Sequence, residues 1–334
     1  MGRKDFVGKQ KKSKTDTLTV GVCYTKTGRK AIVTTKVCDC FIAGVNACGD
    51  KAISLFWDRG NELKALRKLN KCDVVVQYGE WNFGRNKLRG VVHEYCHKNN
   101  TPKIILDIGF VLNYRKEAHS NMKQYSSVGM GRFKRDGEYF NKNSRSDRWE
   151  YLEAKGVKVK PWRKDGKHIV IFGQNNNAAS TAHIDFPGWL MQTLKMIKKQ
   201  TKRPVIYRQH PNAKLEDIPI GVNGYLPENL RKDFKLSRPD KTIEYDLHQA
   251  WCSITKTSNA CVESLLEGVP VITDDELTIA YDVCGHDFSD IENPHMPDRT
   301  QFFYDLAYCQ WSIPEIKVGM PWMHLKPHIQ KMLK

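Results

Sequence analysis

Short apolar runs recur along this chain, separated by stretches with helical spacing, and that alternation limits the folds open to it. The first set is LTVGVCY from Leu18, CDVVVQY from Cys72 and KIILDIG from Lys103. Between them, residues 59–71 place Leu63, Leu66 and Leu69 on one helical face. RNKLRGVVHEYCHKN, with Leu88, Val91, Val92 and Tyr95, reads as a second helix. AIVTTKV, after a turn at Gly28, is rich in β-branched residues and reads as a further strand. Strand–helix alternation with apolar strands predicts a parallel sheet covered on both faces.

The rhythm breaks over residues 112–160, which are polar, aromatic and basic; so long a stretch without periodicity reads as functional or partly disordered. Lys155 to Trp162 then reads as a linker. The alternation restarts with the strands HIVIFGQ, RPVIYRQHP, WCSITKT and VPVIT. Between these lie helical FPGWLMQTLKMIKKQ, TIEYDLHQA and NACVESLLEG, the last closed by Gly268 in the expected C′ position. The chain end (DRTQFFYDLAYCQW, then PEIKVGM) also reads as helical. A length of 334 residues suits two such domains. The divisions expected are a flexible basic tail at 1–16 and α/β domains at 17–160 and 161–300. Helices at 301–334 complete the chain, with a return to the first domain as one arrangement.

No apolar run approaches the roughly 18 residues that span a bilayer, and the basic N-terminus lacks the apolar core of a secretory signal. The expected location is therefore the cytoplasm. The ten cysteines form no C-x-x-C pair and read as reduced thiols. Cys38, Cys40 and Cys48 lack a second ligand pair at zinc spacing. The net charge of +17 lies wholly in residues 1–160, which hold 33 Lys and Arg against 16 Asp and Glu. Residues 161–334 hold 21 of each. Such asymmetry suggests a polyanionic partner for the first half, the alternative being a lysine-rich surface kept for solubility.

Chemistry concentrates at three strand ends in the second half. WCSITKT runs into a helix whose start offers Thr257, Ser258 and Asn259, with Glu263 one turn on. A helix start of this kind suits a phosphate, and Glu263 could accept from ribose hydroxyls; an ordinary cap with a solvent-facing Glu is the alternative. A second strand ends in Arg208, Gln209, His210 and Pro211, cationic groups able to hold a diphosphate. The third ends in Gly173 and Gln174, followed by Asn175, Asn176 and Asn177. In open α/β sheets ligands sit at such carboxyl ends.

A strand ending R-x-H-P, followed by a helix reading S-N-x-x-x-E-x-L-x-x-G-x-P-V, resembles the donor domain of glycosyltransferases of the GT-B fold. The likeness is to capsular-polysaccharide-type transferases. Ser146 to Trp149, Gln174, Arg208 to Pro211, Ile291 to Pro294, Pro297 to Arg299 and Leu306 to Tyr308 also resemble segments of transferase-like proteins of tailed bacteriophages. A phage-encoded chain would work in the host cytoplasm. The resemblance covers roughly residues 125–325. It implies two Rossmann-like domains facing a cleft, the first taking the acceptor and the second a nucleotide sugar. It further implies that His210 and Ser258 meet the donor phosphates and Glu263 the ribose, with Gln174, Arg208, Thr257 and Asn259 beside them. Gln209 stands where many relatives have Pro. No metal or other cofactor is implied, since cationic side chains stabilise the leaving diphosphate. Asp274, Asp275 and Glu276 could be taken for a metal triplet, but following a strand they read as a cap for the next helix.

Transfer also needs a base for the acceptor hydroxyl. Asp107, ending KIILDIG and expected to point into the cleft, is the first candidate and Glu80 the second, with His119 and Asp136 behind them. For the acceptor, the charge suggests double-stranded DNA carrying a hydroxylated or hydroxymethylated base. Arg132, Lys134, Arg135, Arg145 and Arg148 would hold phosphates. Tyr125, Phe133, Tyr139, Phe140 and Trp149 could stack on an extruded base, or else fold the segment onto its own domain. A polysaccharide or lipid-linked glycan is the alternative acceptor, and a non-enzymatic nucleic-acid-binding protein on a transferase fold is the third reading.

Overall fold

A computed structural model of the chain describes residues 17–24, 31–56, 62–80, 87–112, 125–174, 179–210, 234–238 and 240–334. The chain divides into two compact units, Met1–Ser144 with Asp305–Lys334, and Arg145–Tyr304.

The first unit is built on β1 (Thr19–Tyr24), β2 (Lys51–Phe56), β3 (Val74–Tyr78), β4 (Lys103–Ile108), β5 (Tyr125–Met130) and β11 (Gln310–Ser312). Their order is β11-β5-β4-β3-β1-β2. The four strands from β4 to β2 are parallel, and β5 and β11 extend the sheet antiparallel. Valines and isoleucines buried on both faces explain the continuous apolar runs. Helices α1 (Ala31–Ala47), α2 (Glu62–Leu69) and α3 (Lys87–Lys98) connect the strands.

Three expectations need correction here. AIVTTKV is the start of α1 and not a strand. Val37, Cys38, Phe41 and Val45 are all buried, and neighbours 37 and 38 share a face only on a helix. Lys51–Phe56 is a strand that the sequence pattern did not reveal, because on this sheet edge only Leu55 is buried. The segment 112–160 contains β5, hidden in Tyr-Ser-Ser-Val-Gly-Met by its small polar residues, yet every one of its six residues is buried. The turn at Gly28 lies outside the described residues.

The second unit carries a wholly parallel sheet of β6 (His168–Phe172), β7 (Val205–Arg208), β8 (Phe234–Leu236), β9 (Ala250–Ile254) and β10 (Val271–Ile272). The order is β10-β9-β6-β7-β8. Its helices are α4 (Asp147–Ala154), α5 (Phe186–Gln200), α6 (Ile243–Leu247), α7 (Ala260–Leu266) and α8 (Thr300–Tyr308), the last crossing into the residues of the first unit. Helix α5 starts at an Asp185 cap and packs Phe186, Trp189, Leu190, Leu194 and Ile197 on the sheet. The stretch read as a linker belongs to this unit. Lys160 N–H donates to the Leu266 carbonyl and Arg163 N–H to the Gly268 carbonyl, both at 2.8 Å. Arg299 stacks on Trp162 at 3.6 Å, and Trp149 stacks on Phe303 at 4.7 Å. Several residues that carry the family resemblance thus build this unit's core.

The chain ends in α9 (Ile313–Lys317) and α10 (Met320–Met332), which pack on the first unit through Ile313, Ile316, Trp322, Leu325 and Ile329. All ten cysteines are free thiols. Burial pushes Cys96 up to about 12, which keeps it protonated and unreactive near neutral pH. Among the described residues no helix is long and apolar enough to cross a membrane.

Candidate active site at the carboxyl edge of the second sheet

The second sheet winds outward from β6 through β7 and β8, then returns to place β9 on the other side of β6. The reversal makes β6 and β9 the switch point, where the loops leaving two neighbouring strands part and open a crevice. Gly173 and Gln174 leave β6 there, Thr255 to Asn259 leave β9, and Gln209 and His210 leave adjacent β7.

Gln174 bridges the switch point. With its side-chain oxygen turned toward α7, it accepts from the N–H groups of Thr257 and Ser258 at 2.8 Å each. Thr257 Oγ1 donates to the Ser180 carbonyl at 3.2 Å, and Ser258 Oγ accepts from Ala260 N–H at 3.3 Å. These bonds correct the simplest phosphate picture: the N–H groups of Thr257, Ser258 and Ala260 already have partners inside the protein. Among the described residues Asn259 Oδ1 is buried without a hydrogen-bond partner, and Glu263 and His210 are half-buried at the same edge. Asn175 to Asn177 and Pro211 lie outside the described residues.

Arg208 also requires correction. Its guanidinium pairs with Asp246 and donates to Ser237 Oγ at 3.2 Å, the Thr242 carbonyl at 3.1 Å and the Lys241 carbonyl at 3.0 Å. It ties β7 to the start of α6, with both terminal nitrogens engaged there.

A second group at this edge joins Asp274 and Asp275 to residues that no sequence spacing connects with them. Lys256 Nζ lies 2.9 Å from Asp274 Oδ1 and 3.9 Å from Asp275 Oδ2. His183 Nε2 lies 3.1 Å from Asp275 Oδ2, and Trp189 Nε1 is 3.1 Å from both Asp274 oxygens. The acidic triplet therefore has a lysine between its first two carboxylates. Asp275 caps a turn through Leu277 N–H at 3.0 Å, not a helix. Only the sheet order brings residues 183, 256 and 275 together.

In the first unit Asp107 is half-buried near the end of β4, and its Oδ1 accepts from Ile108 N–H at 2.8 Å. Burial, and secondarily the Asp107 charge, drive the Tyr78 phenol well above its usual range. Glu80 is 4% exposed and sits between Lys103 at 3.6 Å and Arg132 at 3.4 Å, a structural ion pair rather than a base open to substrate. Asp136 is exposed on a short turn. His119 lies outside the described residues.

The expected base-stacking platform is not there. Tyr125, Phe133, Tyr139 and Trp149 are buried, and Phe140 stacks on His328 at 3.8 Å. The aromatics fold the segment onto the protein. Lys134 is buried too, whereas Arg132, Arg135 and Arg145 are exposed and Arg148 is half-exposed. Arg145 and Arg148 belong to the second unit and the others to the first.

Two Rossmann-like α/β units in one chain define the GT-B type of fold. No protein-family model matches the chain, and a comparison with curated proteins finds no match. Among solved structures it is similar to Thermosulfurimonas dismutans KpsC, beta Kdo 2,4 transferase. That likeness has 13% identity and a TM-score of 0.55, and covers 96% of this chain and 99% of the other. The beta Kdo 2,7 transferase of the same organism's KpsC follows at 15% identity and a TM-score of 0.44, covering 91% and 99%. The first of these places the fold with that of a glycosyltransferase; the second is too distant to add to the argument.

Proposed function

We propose that this chain transfers a sugar from a nucleotide donor bound at the switch point of its second unit. The observation that carries the proposal is the convergence of Gln174, His210, Ser258, Asn259 and Glu263 on that one edge. In this reading His210 and the Ser258 hydroxyl face the diphosphate and Glu263 the ribose. Thr257 acts as a strut through Gln174 and Ser180. No metal takes part: side-chain donors meet the leaving diphosphate. Asp107 is the proposed base for the acceptor hydroxyl. The test is a panel of nucleotides and nucleotide sugars added to the full-length protein. One should raise its thermal stability, by about 2.7 kcal/mol at a hundred times its dissociation constant. His210→Ala and Glu263→Ala should each shrink that shift. A flat response to the whole panel would remove the donor site.

For the acceptor we propose a polyanion, with double-stranded DNA tested first. The support is charge alone: the first unit holds 32 Lys and Arg against 15 Asp and Glu, and the second holds 22 of each. Binding of full-length protein to a labelled duplex, followed by anisotropy, should weaken steeply with salt. Each neutralised phosphate contributes about −0.9 to the slope of log K against log salt, so four or five contacts give about −4. Arg132→Glu with Arg135→Glu should flatten it. One observation favours a lipid-linked glycan instead: Val318, Met320 and Met323 of the basic unit are 59%, 36% and 54% exposed. Absence of a salt slope on DNA would move the acceptor to that class.

A further inference from the structure

We infer that His183, oriented by Asp275, is a further contact for the donor's diphosphate; this rests on the donor reading above. His183 follows the short turn Ala179–Thr181, and the Ser180 carbonyl of that turn holds Thr257 Oγ1 at 3.2 Å. The loop carrying His183 is therefore pinned to the switch point beside Ser258. Asp275 is fixed before the histidine meets it. It is 8% exposed, its Oδ1 accepts from Leu277 N–H at 3.0 Å, and its own N–H donates to Thr273 Oγ1 at 3.3 Å. Its other oxygen holds His183 Nε2 at 3.1 Å. The His183 side chain is 47% exposed, so the ring is gripped at one nitrogen and open to solvent along its other edge.

A carboxylate on one ring nitrogen fixes both the tautomer and the direction of the other. With Nε2–H donated to Asp275, Nδ1 accepts when the ring is neutral and donates when it is imidazolium. Asp275, which holds the ring, lies 3.9 Å from Lys256 Nζ, and Lys256 also pairs with Asp274 at 2.9 Å. Asp185 on its own loop is turned to cap α5, accepting from Gly188 N–H at 3.2 Å. A diphosphate oxygen is an acceptor, so its partner at Nδ1 is the imidazolium form, which donates at both nitrogens. When the bond from the sugar carbon to the diphosphate oxygen breaks, its electron pair stays on that oxygen. The diphosphate then accepts a hydrogen bond from Nδ1–H. The sugar carbon bonds to the acceptor oxygen, whose proton leaves to the base.

The experiment uses full-length protein and whichever nucleoside diphosphate of the panel UDP, GDP, dTDP and ADP stabilises it. Calorimetric titrations between about pH 5.5 and 8.5, in buffers of different ionisation enthalpy, give affinity and proton uptake together. The nucleotide's own phosphate titration is common to all variants and cancels between them. Wild type should bind more tightly as pH falls. His183→Gln should bind about tenfold or more weakly and take up less proton, and Asp275→Asn should blunt the pH dependence in the same direction. His183 is exposed, so its variant leaves the fold intact. If a nucleotide binds wild type while His183→Gln keeps its affinity within about twofold and its proton uptake, the inference is overturned and the donor site stands. If no nucleotide binds wild type, the donor reading falls and takes this inference with it.

Discussion

Gly268→Ala is expected to destabilise the second unit by about 2–5 kcal/mol and to weaken nucleotide binding with it. Gly268 has φ of +72°, and a Cβ built on it would lie 2.1 Å from the Pro161 carbonyl oxygen. Two costs add: the left-handed backbone, about 1–2 kcal/mol for a residue with a side chain, and displacement of the segment passing over it. That segment is tied to the end of α7 by the bonds from Lys160 and Arg163 to the Leu266 and Gly268 carbonyls. The other end of the same helix follows Ser258 and Asn259, and Glu263 lies at its middle. A shift at one end of so short an element reaches the other. Gly156→Ala is the control, since φ there is +92° and no atom of the described residues lies within 4 Å of its added Cβ. It should cost only the backbone part. Urea unfolding of both variants, read beside nucleotide affinity, separates the two contributions. Equal losses at 268 and 156 would show that the contact with Pro161 is immaterial.

The same helix shows how far sequence reasoning reached. NACVESLLEG followed by VPVIT could be read as helix, left-handed cap and strand, because each signal is local: apolar spacing, a glycine, a β-branched run. FPGWLMQTLKMIKKQ was legible for the same reason, with an Asp cap before it and a basic last turn. β5 and β2 were not, because their burial comes from neighbouring strands and not from their own composition. α1 was misread because Ile, Val and Thr favour strands locally, while the tertiary packing of Phe41 and Val45 fixes the helix.

The site divides along the same line. That phosphate-suited groups sit on three strand ends was visible, since strand ends are local. How those groups are spent was not. Arg208 is committed to Asp246 38 positions away, and Gln174 to the N–H groups of Thr257 and Ser258. The grouping of His183, Lys256 and Asp275 depends on β9 lying between β10 and β6, which no spacing in the sequence encodes. The basic, aromatic stretch 125–149 misled because alternating cations and rings fit both a nucleic-acid groove and a segment folded on its own core. The burial of four of the five rings decides for the second.

Asp50→Ala should cost the first unit about 3–5 kcal/mol and loosen the C-terminal helix from it. Asp50 is 5% exposed at the turn between α1 and β2. Its Oδ1 accepts from Leu18 N–H at 2.8 Å, and its Oδ2 accepts from Trp322 Nε1 at 2.7 Å and pairs with Lys326 Nζ at 2.8 Å. One carboxylate thus joins the entry to β1, the end of α1 and the last helix of the chain. Removing it leaves a buried indole N–H and a backbone N–H without acceptors. Lys326→Ala should cost less than Asp50→Ala, because its side chain is 24% exposed and the Asp50 carboxylate keeps its bonds from Leu18 and Trp322. Acid should reproduce part of the loss. Burial alone would raise the Asp50 carboxyl, but the hydrogen bonds from Lys326, Leu18 and Trp322 overcome it and hold the group below its ordinary value of 3.8. A depressed folded value means that the stabilisation is present above the unfolded value and lost as pH falls through the folded one. Stability measured downward from neutral pH should therefore fall below about pH 4 in wild type, and less so in Asp50→Asn, which keeps the shape without the charge. A change under about 1 kcal/mol in Asp50→Ala would show that the C-terminal helix is held by its apolar face alone, through Trp322, Leu325 and Ile329.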